Sequence, residues 1–190
     1  MPVHVYSLLA VLPFNGIEKK LLALQRRLFR QTGFASALAL PPVIPLCWLP
    51  EGLNVNAVRE VLKQHKPAGT FSMAGLKQQA GVVILKTRST WQSQVPGNLQ
   101  QWILDTLRPG ITEAVPAAKP LFAVVDGFYL AVNETNLLPV DYSTPDTILV
   151  SKKFSTYQIV LLQIQVYTNL PVWWQNVTWE IPVCVKVRSG

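Results

Sequence analysis

A regular alternation of apolar and polar residues near the C-terminal end constrains the fold most strongly. Over residues 177–187 every second residue is apolar, and successive side chains of a β-strand point to opposite faces of its sheet. The residues that would share one face are Val177, Trp179, Ile181, Val183, Val185 and Val187. The segment therefore predicts a strand with one buried face, which is typical of antiparallel sheets.

Helical periodicity follows a first apolar run at residues 3–12, which predicts a buried strand. Asn15 and Glu18 have the spacing of a capping box, and Gly33 can adopt the left-handed conformation that ends a helix. The apolar residues between them recur at helical spacing, and they are Ile17, Leu21, Leu24 and Leu28. We expect a helix over residues 15–32.

The dipeptide Asp126-Gly127 separates two short apolar runs, residues 121–125 and 128–132. A type I′ turn needs two residues that tolerate positive φ, and Asp-Gly is one of the pairs that favour it. The pattern predicts a β-hairpin centred on this dipeptide.

The remaining segments complete the expected fold. Strands are predicted at residues 35–49, 70–74, 82–87 and 154–167, and helices at residues 98–107 and after a cap at Asn54 or Asn56. Because helices fall early and strands crowd the second half, we expect an α+β fold with mostly antiparallel sheets and two or three helices packed outside. No linker-like tract divides the chain, so we expect a single domain over residues 1–190. Two similar β-lobes around a cleft, at about 1–80 and 81–190, are also compatible with the pattern.

Composition argues against several classes of protein. Of the 190 residues, 49% are hydrophobic and 14% are charged, which argues against disorder. No apolar stretch approaches the ~20 residues that cross a bilayer, so we expect no membrane partner. Cys47 and Cys184 lie in apolar runs without metal-binding spacing, which predicts two buried free thiols and a reducing, cytoplasmic location.

The sequence lacks the motifs that carry familiar chemistry. The glycine-rich phosphate-binding motifs G-x-x-x-x-G-K-[ST] and G-x-G-x-x-G do not occur. The histidines His4 and His65 and the two cysteines are too few and too scattered for a zinc site or a nucleophile with its base. We therefore predict no catalytic residue, no metal and no cofactor.

Positive charge is concentrated on the first predicted helix. The net charge is +7, and five cations fall in one sector roughly opposite the apolar stripe. This basic helix face consists of Lys19, Lys20, Arg26, Arg27 and Arg30. It is either a solvated surface that keeps an apolar protein in solution or a site for a polyanion such as RNA.

The N-terminal segments resemble a known family. A strand that ends in proline, a helix with the Leu21, Leu24 and Leu28 spacing, and an apolar strand with the prolines of residues 40–46 are similar to the first lobe of the 2H phosphoesterases. That family includes RNA ligase-like and cyclic phosphodiesterase proteins. The resemblance implies two lobes with one H-x-[ST] motif each, facing each other across a cleft. There the histidines act as acid and base on a 2′,3′-cyclic or 2′-5′ phosphodiester, and the hydroxyls hold the phosphate.

Both motifs are substituted in this sequence. The first falls on Val43 and Pro45, and the second on Gln158 and Val160, in a second lobe made of residues 82–85, the helix from Asn98 and residues 155–161. None of these side chains transfers a proton near neutral pH.

Other side chains are candidates for ligand binding. If the cleft is present, it could still hold an anion through Arg88, Lys152, Lys153 and Tyr157, with Gln158 beside them. Trp173-Trp174 is a candidate stacking platform for a base or a partner.

Two functions follow from these observations. One is a non-catalytic 2H-like domain that binds RNA or a nucleotide. The other is a protein interaction or scaffold domain with no nucleic-acid ligand. Salt distinguishes them, because a polyanion complex weakens steeply as salt rises and an apolar interface does not.

Overall fold

The computed structural model describes residues 3–14, 16–50, 52–91, 94–107, 121–132, 134, 152–167 and 172–188. In chain order its main elements are β1 (His4–Pro13), α1 (Ile17–Thr32), β2 (Ile44–Leu49), α2 (Val55–Gln64), β3 (Phe71–Gln79), β4 (Val82–Ser89), α3 (Val95–Leu107), β5 (Gly127–Val132), β6 (Lys153–Phe154), β7 (Thr156–Val166) and β8 (Val177–Arg188). Short 3₁₀ helices lie at Ala35–Leu38 and Trp173–Gln175. The predicted α+β class with mostly antiparallel pairing is confirmed.

The strands form two four-stranded sheets in which every neighbouring pair is antiparallel. The first sheet has the order β2-β1-β7-β8, and the second has the order β5-β4-β3-β6. The two sheets do not correspond to the possible lobes at residues 1–80 and 81–190. The first sheet combines strands from both ends of the chain, because β7 pairs with β1 along its whole length.

Local signals position the first two helices. In α1, Leu21, Leu24 and Leu28 are buried, and the N–H of Gly33, at φ 74°, donates to the carbonyl of Phe29. Asn15, the expected cap, lies outside the described residues, and Gly16 precedes the helix as its N-cap. In α2, the side-chain oxygen of Asn54 accepts hydrogen bonds from the N–H groups of residues 56 and 57, so Asn54 is the cap of the two candidates that the sequence offered.

Both faces of β1 and β7, the central strands of the first sheet, are buried. In β1 and β7, successive residues belong to different hydrophobic clusters: Leu9 and Ile159 pack with one, and Leu8 and Val160 with the other. The first cluster also takes the apolar residues of all three α-helices, while the second includes Trp173 and residues near β5. This double burial explains why these strands appear in the sequence as continuous apolar runs.

The predicted hairpin at Asp126-Gly127 is wrong. Residues 121–126 form no strand, and β5 pairs with β4 instead. Gly127 does not have a positive φ, whereas Ala80 and Gly81, which join β3 to β4, have φ values of 48° and 76°. The tight hairpin turn is therefore at Ala80-Gly81.

A β-bulge divides β8. Opposite β7, the pairs Gln163–Glu180 and Leu161–Val183 leave one extra residue on β8, at residues 181 and 182. Consequently Val183, which is buried, and Ile181, which is half-buried, pack against different clusters. The predicted single apolar face is thus wrong beyond the bulge, and Trp179 is 43% exposed.

The predicted strand at residues 35–49 is also only partly correct. Its first residues form the 3₁₀ helix Ala35–Leu38, and β2 begins at Ile44. Pro41 and Pro42, which lack backbone N–H groups, precede the strand.

Candidate functional site

The two sheets share an order of elements that brings two edge strands together. In each sheet a strand, a helix and an antiparallel neighbour follow one another, as β1-α1-β2 in the first and β4-α3-β5 in the second. The strands β2 and β5 are both edges and contact each other. The N–H of Tyr129 donates to the carbonyl of Val43 at 2.8 Å.

A cleft of about 360 Å³ opens beside this junction. Its lining residues come from β2, β3, β4 and the segments next to them, and they are Ile44, Pro45, Leu46, Phe71, Lys86, Thr87, Ser89, Trp91, Pro96, Val124, Val125 and Asp126. They supply one ammonium group, one carboxylate, two hydroxyls and an indole. No histidine lines it among the described residues. The sequence marked Asp126 only as a turn residue and did not mark Lys86. The pairing of Lys86 with Gly127 between β4 and β5 brings the two side chains to the same cleft.

The four substituted motif positions do not face one another across this cleft. Pro45 lines the cleft, and Val43 is buried just before β2. Gln158 and Val160 lie on β7, in the same sheet as β2, and Val160 is fully buried. In chain order β5 follows β4 and α3 as β2 follows β1 and α1, whereas β7, the strand expected in the second lobe, pairs with β1 in the first sheet.

Tyr157 is a structural residue rather than a ligand-binding one. Its side chain is fully buried against Phe71 and Trp91. The hydroxyl donates to the carbonyl of Pro67 at 2.6 Å and accepts from Nε1 of Trp91 at 3.2 Å. Its hydrogen-bonding capacity is therefore used inside the protein.

Arg88 and Lys153 flank Ser72 from the two strands on either side of β3 in the second sheet. Ser72 of β3 pairs with Arg88 of β4 on one side and with Lys153 of β6 on the other. Both cations are exposed. They lie outside the lining of the cleft.

Lys152 meets the first turn of α1. The ammonium group of the nearby Lys20, through its N–H donors and its positive charge, holds the pKa of Lys152 below its ordinary value. Lys152 is fully exposed, and its carbonyl accepts a hydrogen bond from the N–H of Met73, which fixes the backbone there. Two positive groups distant in sequence therefore share one place on the surface.

The other cations of α1 extend this region. Lys19, Arg26 and Arg30 are exposed, and Arg27 is half-buried. We call Lys19, Lys20, Arg26, Arg30 and Lys152 the basic surface. Sequence periodicity found its helical part, but it could not place Lys152 beside Lys20.

Cys184 and Trp173 do not have the exposure that the sequence predicted. Cys47 is buried, but Cys184 is exposed on β8. Trp173 is 1% exposed, so it cannot stack on a ligand, and Trp174 is half-buried against it. The tryptophans with the most accessible side chains are Trp102 and Trp179.

Among the described residues, no cluster of three or more His, Cys, Asp or Glu side chains could hold a metal ion. In the same part of the chain, no helix has the length and apolar character needed to cross a membrane. No protein-family model matches the chain, and no curated protein matches its sequence.

Proposed function

We propose that this protein binds RNA through the basic surface as a non-catalytic domain of the 2H phosphoesterase type. The observation that carries the proposal is the row of exposed cations along α1, Lys19, Lys20, Arg26 and Arg30, with the exposed Lys152 near Lys20. Several cations on one face attract a polyanion, because their potentials add along the surface. A phosphate group is the anion that such a surface would bind.

The length of the basic surface favours a polymer over a single nucleotide. Lys19 and Arg30 are eleven residues apart on α1, which corresponds to about 16 Å along the helix axis. Several successive phosphates of one strand could contact a row of this length. A free nucleotide could engage only part of it.

The helix that carries these cations is firmly held. Gln25, 1% exposed, donates from its side-chain amide to the carbonyls of Leu40 at 3.2 Å and Tyr129 at 3.3 Å. This anchor fixes the rotation of α1, so that its cations stay on the surface. A preorganised site loses less entropy on binding.

The cleft supplies no comparable chemistry. Pro45 has no hydroxyl for a phosphate, and no imidazole lines the cleft among the described residues. Cleavage of a cyclic or 2′-5′ phosphodiester in the manner of the resembling family needs an acid and a base at this point. The proposed role is therefore binding without turnover.

The test is a pair of charge reversals on the basic surface. Arg26→Glu with Arg30→Glu should weaken the binding of a single-stranded RNA, and the slope of log K against log salt should become shallower by roughly 0.7 for each phosphate that the variant no longer neutralises. The melting temperature should stay within a few degrees, because exposed substitutions usually cost under about 0.5 kcal/mol each.

The matched control makes the same charge change elsewhere. Lys63→Glu with Lys77→Glu reverses two exposed cations on α2 and β3, outside the basic surface. If both double variants weaken binding equally, only net charge matters, and the proposed surface is wrong. If neither variant alters RNA affinity at ~0.1 M salt, the basic surface is only solvated and the scaffold function is favoured.

A further inference from the structure

A small pocket lies between α1, the 3₁₀ helix Ala35–Leu38 and the start of β8. Its volume is about 160 Å³, and Trp179, Leu22 and Arg26 are among the residues that line it. Pockets for drug-sized ligands usually enclose about 300–1,000 Å³, so this one has room for a single ring or side chain.

The surroundings of the pocket are unusually apolar for a surface. Trp179 is 43% exposed, Leu38 is 53% exposed and Phe29 is 38% exposed. Leu22, Arg26 and Phe29 follow one another at helical spacing along α1. The bulge in β8 is responsible for this arrangement, because it separates the side of Trp179 from that of Val183.

Arg26 is the only charged residue among the described residues that line the pocket, and it also belongs to the basic surface. A planar indole beside a guanidinium suits a nucleobase with its phosphate, since every base has a π-face and stacking tolerates any sequence. We propose that Trp179 is a stacking platform for one unpaired base of single-stranded RNA, while Arg26 contacts the adjoining phosphate. This inference rests on the proposed function and specifies its substrate as unpaired RNA.

A duplex should not use this platform. Its bases are already stacked and paired, so a duplex could contact the cations of α1 but could not insert a base against Trp179. Loss of Trp179 should therefore weaken the binding of single-stranded RNA and not that of duplex RNA, whereas loss of the cations should weaken both.

The experiment measures the affinity of the full chain for a 12-nucleotide oligouridylate and for a 12-base-pair RNA duplex. Trp179→Ala should weaken single-strand binding roughly 5- to 150-fold, the range expected when one stacking partner is removed. Duplex binding should change less than about twofold, and the salt slope should be unchanged because the same cations still neutralise the same phosphates. Trp179→Phe should restore part of the affinity.

The control is Trp102→Ala, which removes a side chain of similar exposure, 39%, that stacks on His65 instead. It should leave both affinities unchanged. Equal weakening by Trp179→Ala and Trp102→Ala, or equal effects on the single strand and the duplex, would overturn the stacking role. A salt-insensitive self-association that Trp179→Ala abolishes, without any change in RNA affinity, would also overturn it and would indicate a protein interface.

The two sets of variants test the stacking platform and the basic surface separately. If Arg26→Glu with Arg30→Glu weakens RNA binding but Trp179→Ala does not, the basic surface binds RNA without the platform. If neither set of variants has an effect, both proposals fall.

Discussion

Gly127 of β5 passes so close to the carbonyl oxygen of Leu85 in β4 that a side chain has no room there. An added Cβ would overlap that oxygen and would lie 2.8 Å from the Cα of Lys86. The glycine is therefore required by the close approach of two strands and not by a turn.

This relationship predicts the effect of a single methyl group. Gly127→Ala should destabilise the protein by at least about 2 kcal/mol, because backbone atoms must move to admit it. Gly97→Ala is the matched control: Gly97 lies in α3 with open space around it, so alanine there should stabilise by about 0.5–1 kcal/mol. Urea unfolding midpoints measure both changes, and equal midpoints for the two variants would contradict the packing.

The buried hydroxyl of Tyr157 predicts a second stability difference. Tyr157→Phe leaves the carbonyl of Pro67 and the indole N–H of Trp91 without this partner, which should cost about 1–3 kcal/mol. Tyr167→Phe removes a half-buried hydroxyl that bonds only side chains, including that of Gln165, and should cost under about 1 kcal/mol. Thermal unfolding compares the two variants. A Tyr157→Phe protein as stable as the parent would show that the hydroxyl is not bonded as described.

The proximity of Lys20 to Lys152 predicts how the pKa of Lys152 responds to a substitution. Since the pKa of Lys152 is lowered in the folded protein from the ordinary 10.5, the folded state holds fewer protons than the unfolded state in the pH range just below that value. The repulsion therefore opposes folding at neutral pH and disappears as the pH rises through the pKa of Lys152. Lys20→Met should return that pKa toward its ordinary value, and Lys19→Met should not. NMR titration of the lysine side-chain carbons measures it, and an unchanged pKa in Lys20→Met would contradict the contact.

The two cysteines predict unequal reactivity. Burial raises the pKa of Cys47 to about 12, and partial burial also raises the pKa of the Cys184 thiol. Because the thiolate is the nucleophile, iodoacetamide should label Cys184 first, with a pH midpoint above that of a free cysteine, and Cys47 only after unfolding. Mass spectrometry of timed samples of Cys184→Ser and Cys47→Ser tests this. Rapid labelling of folded Cys184→Ser would contradict the burial of Cys47.

The missing acid and base predict an absence of turnover. Purified protein should not hydrolyse 2′,3′-cyclic nucleotides or 2′-5′ linked dinucleotides without added metal, because Val43 and Pro45 cannot transfer a proton. Chromatography of the products after long incubation provides the measurement. Hydrolysis that survives further purification and disappears in Lys86→Met would show that the cleft has a chemistry of its own.

Local signals in the sequence determined the helices well. The spacing of Leu21, Leu24 and Leu28 and the cap at Asn54 act within a few residues, so they are readable without knowing the rest of the chain. The alternation in β8 likewise identified a strand. The basic helix face could be listed from the same periodicity.

Long-range contacts establish which strands are neighbours and which residues share a surface. The pairing of β7 with β1 and the meeting of Lys20 with Lys152 join residues more than a hundred positions apart, and no local pattern encodes such contacts. Glycine at residue 127 reflects packing against Leu85, which a dipeptide cannot reveal. The bulge at Pro182 shifts the alternation of β8 by one residue, and because side chains alternate with a period of two, that single shift moves Trp179 away from the side of Val183 and onto the surface beside Arg26.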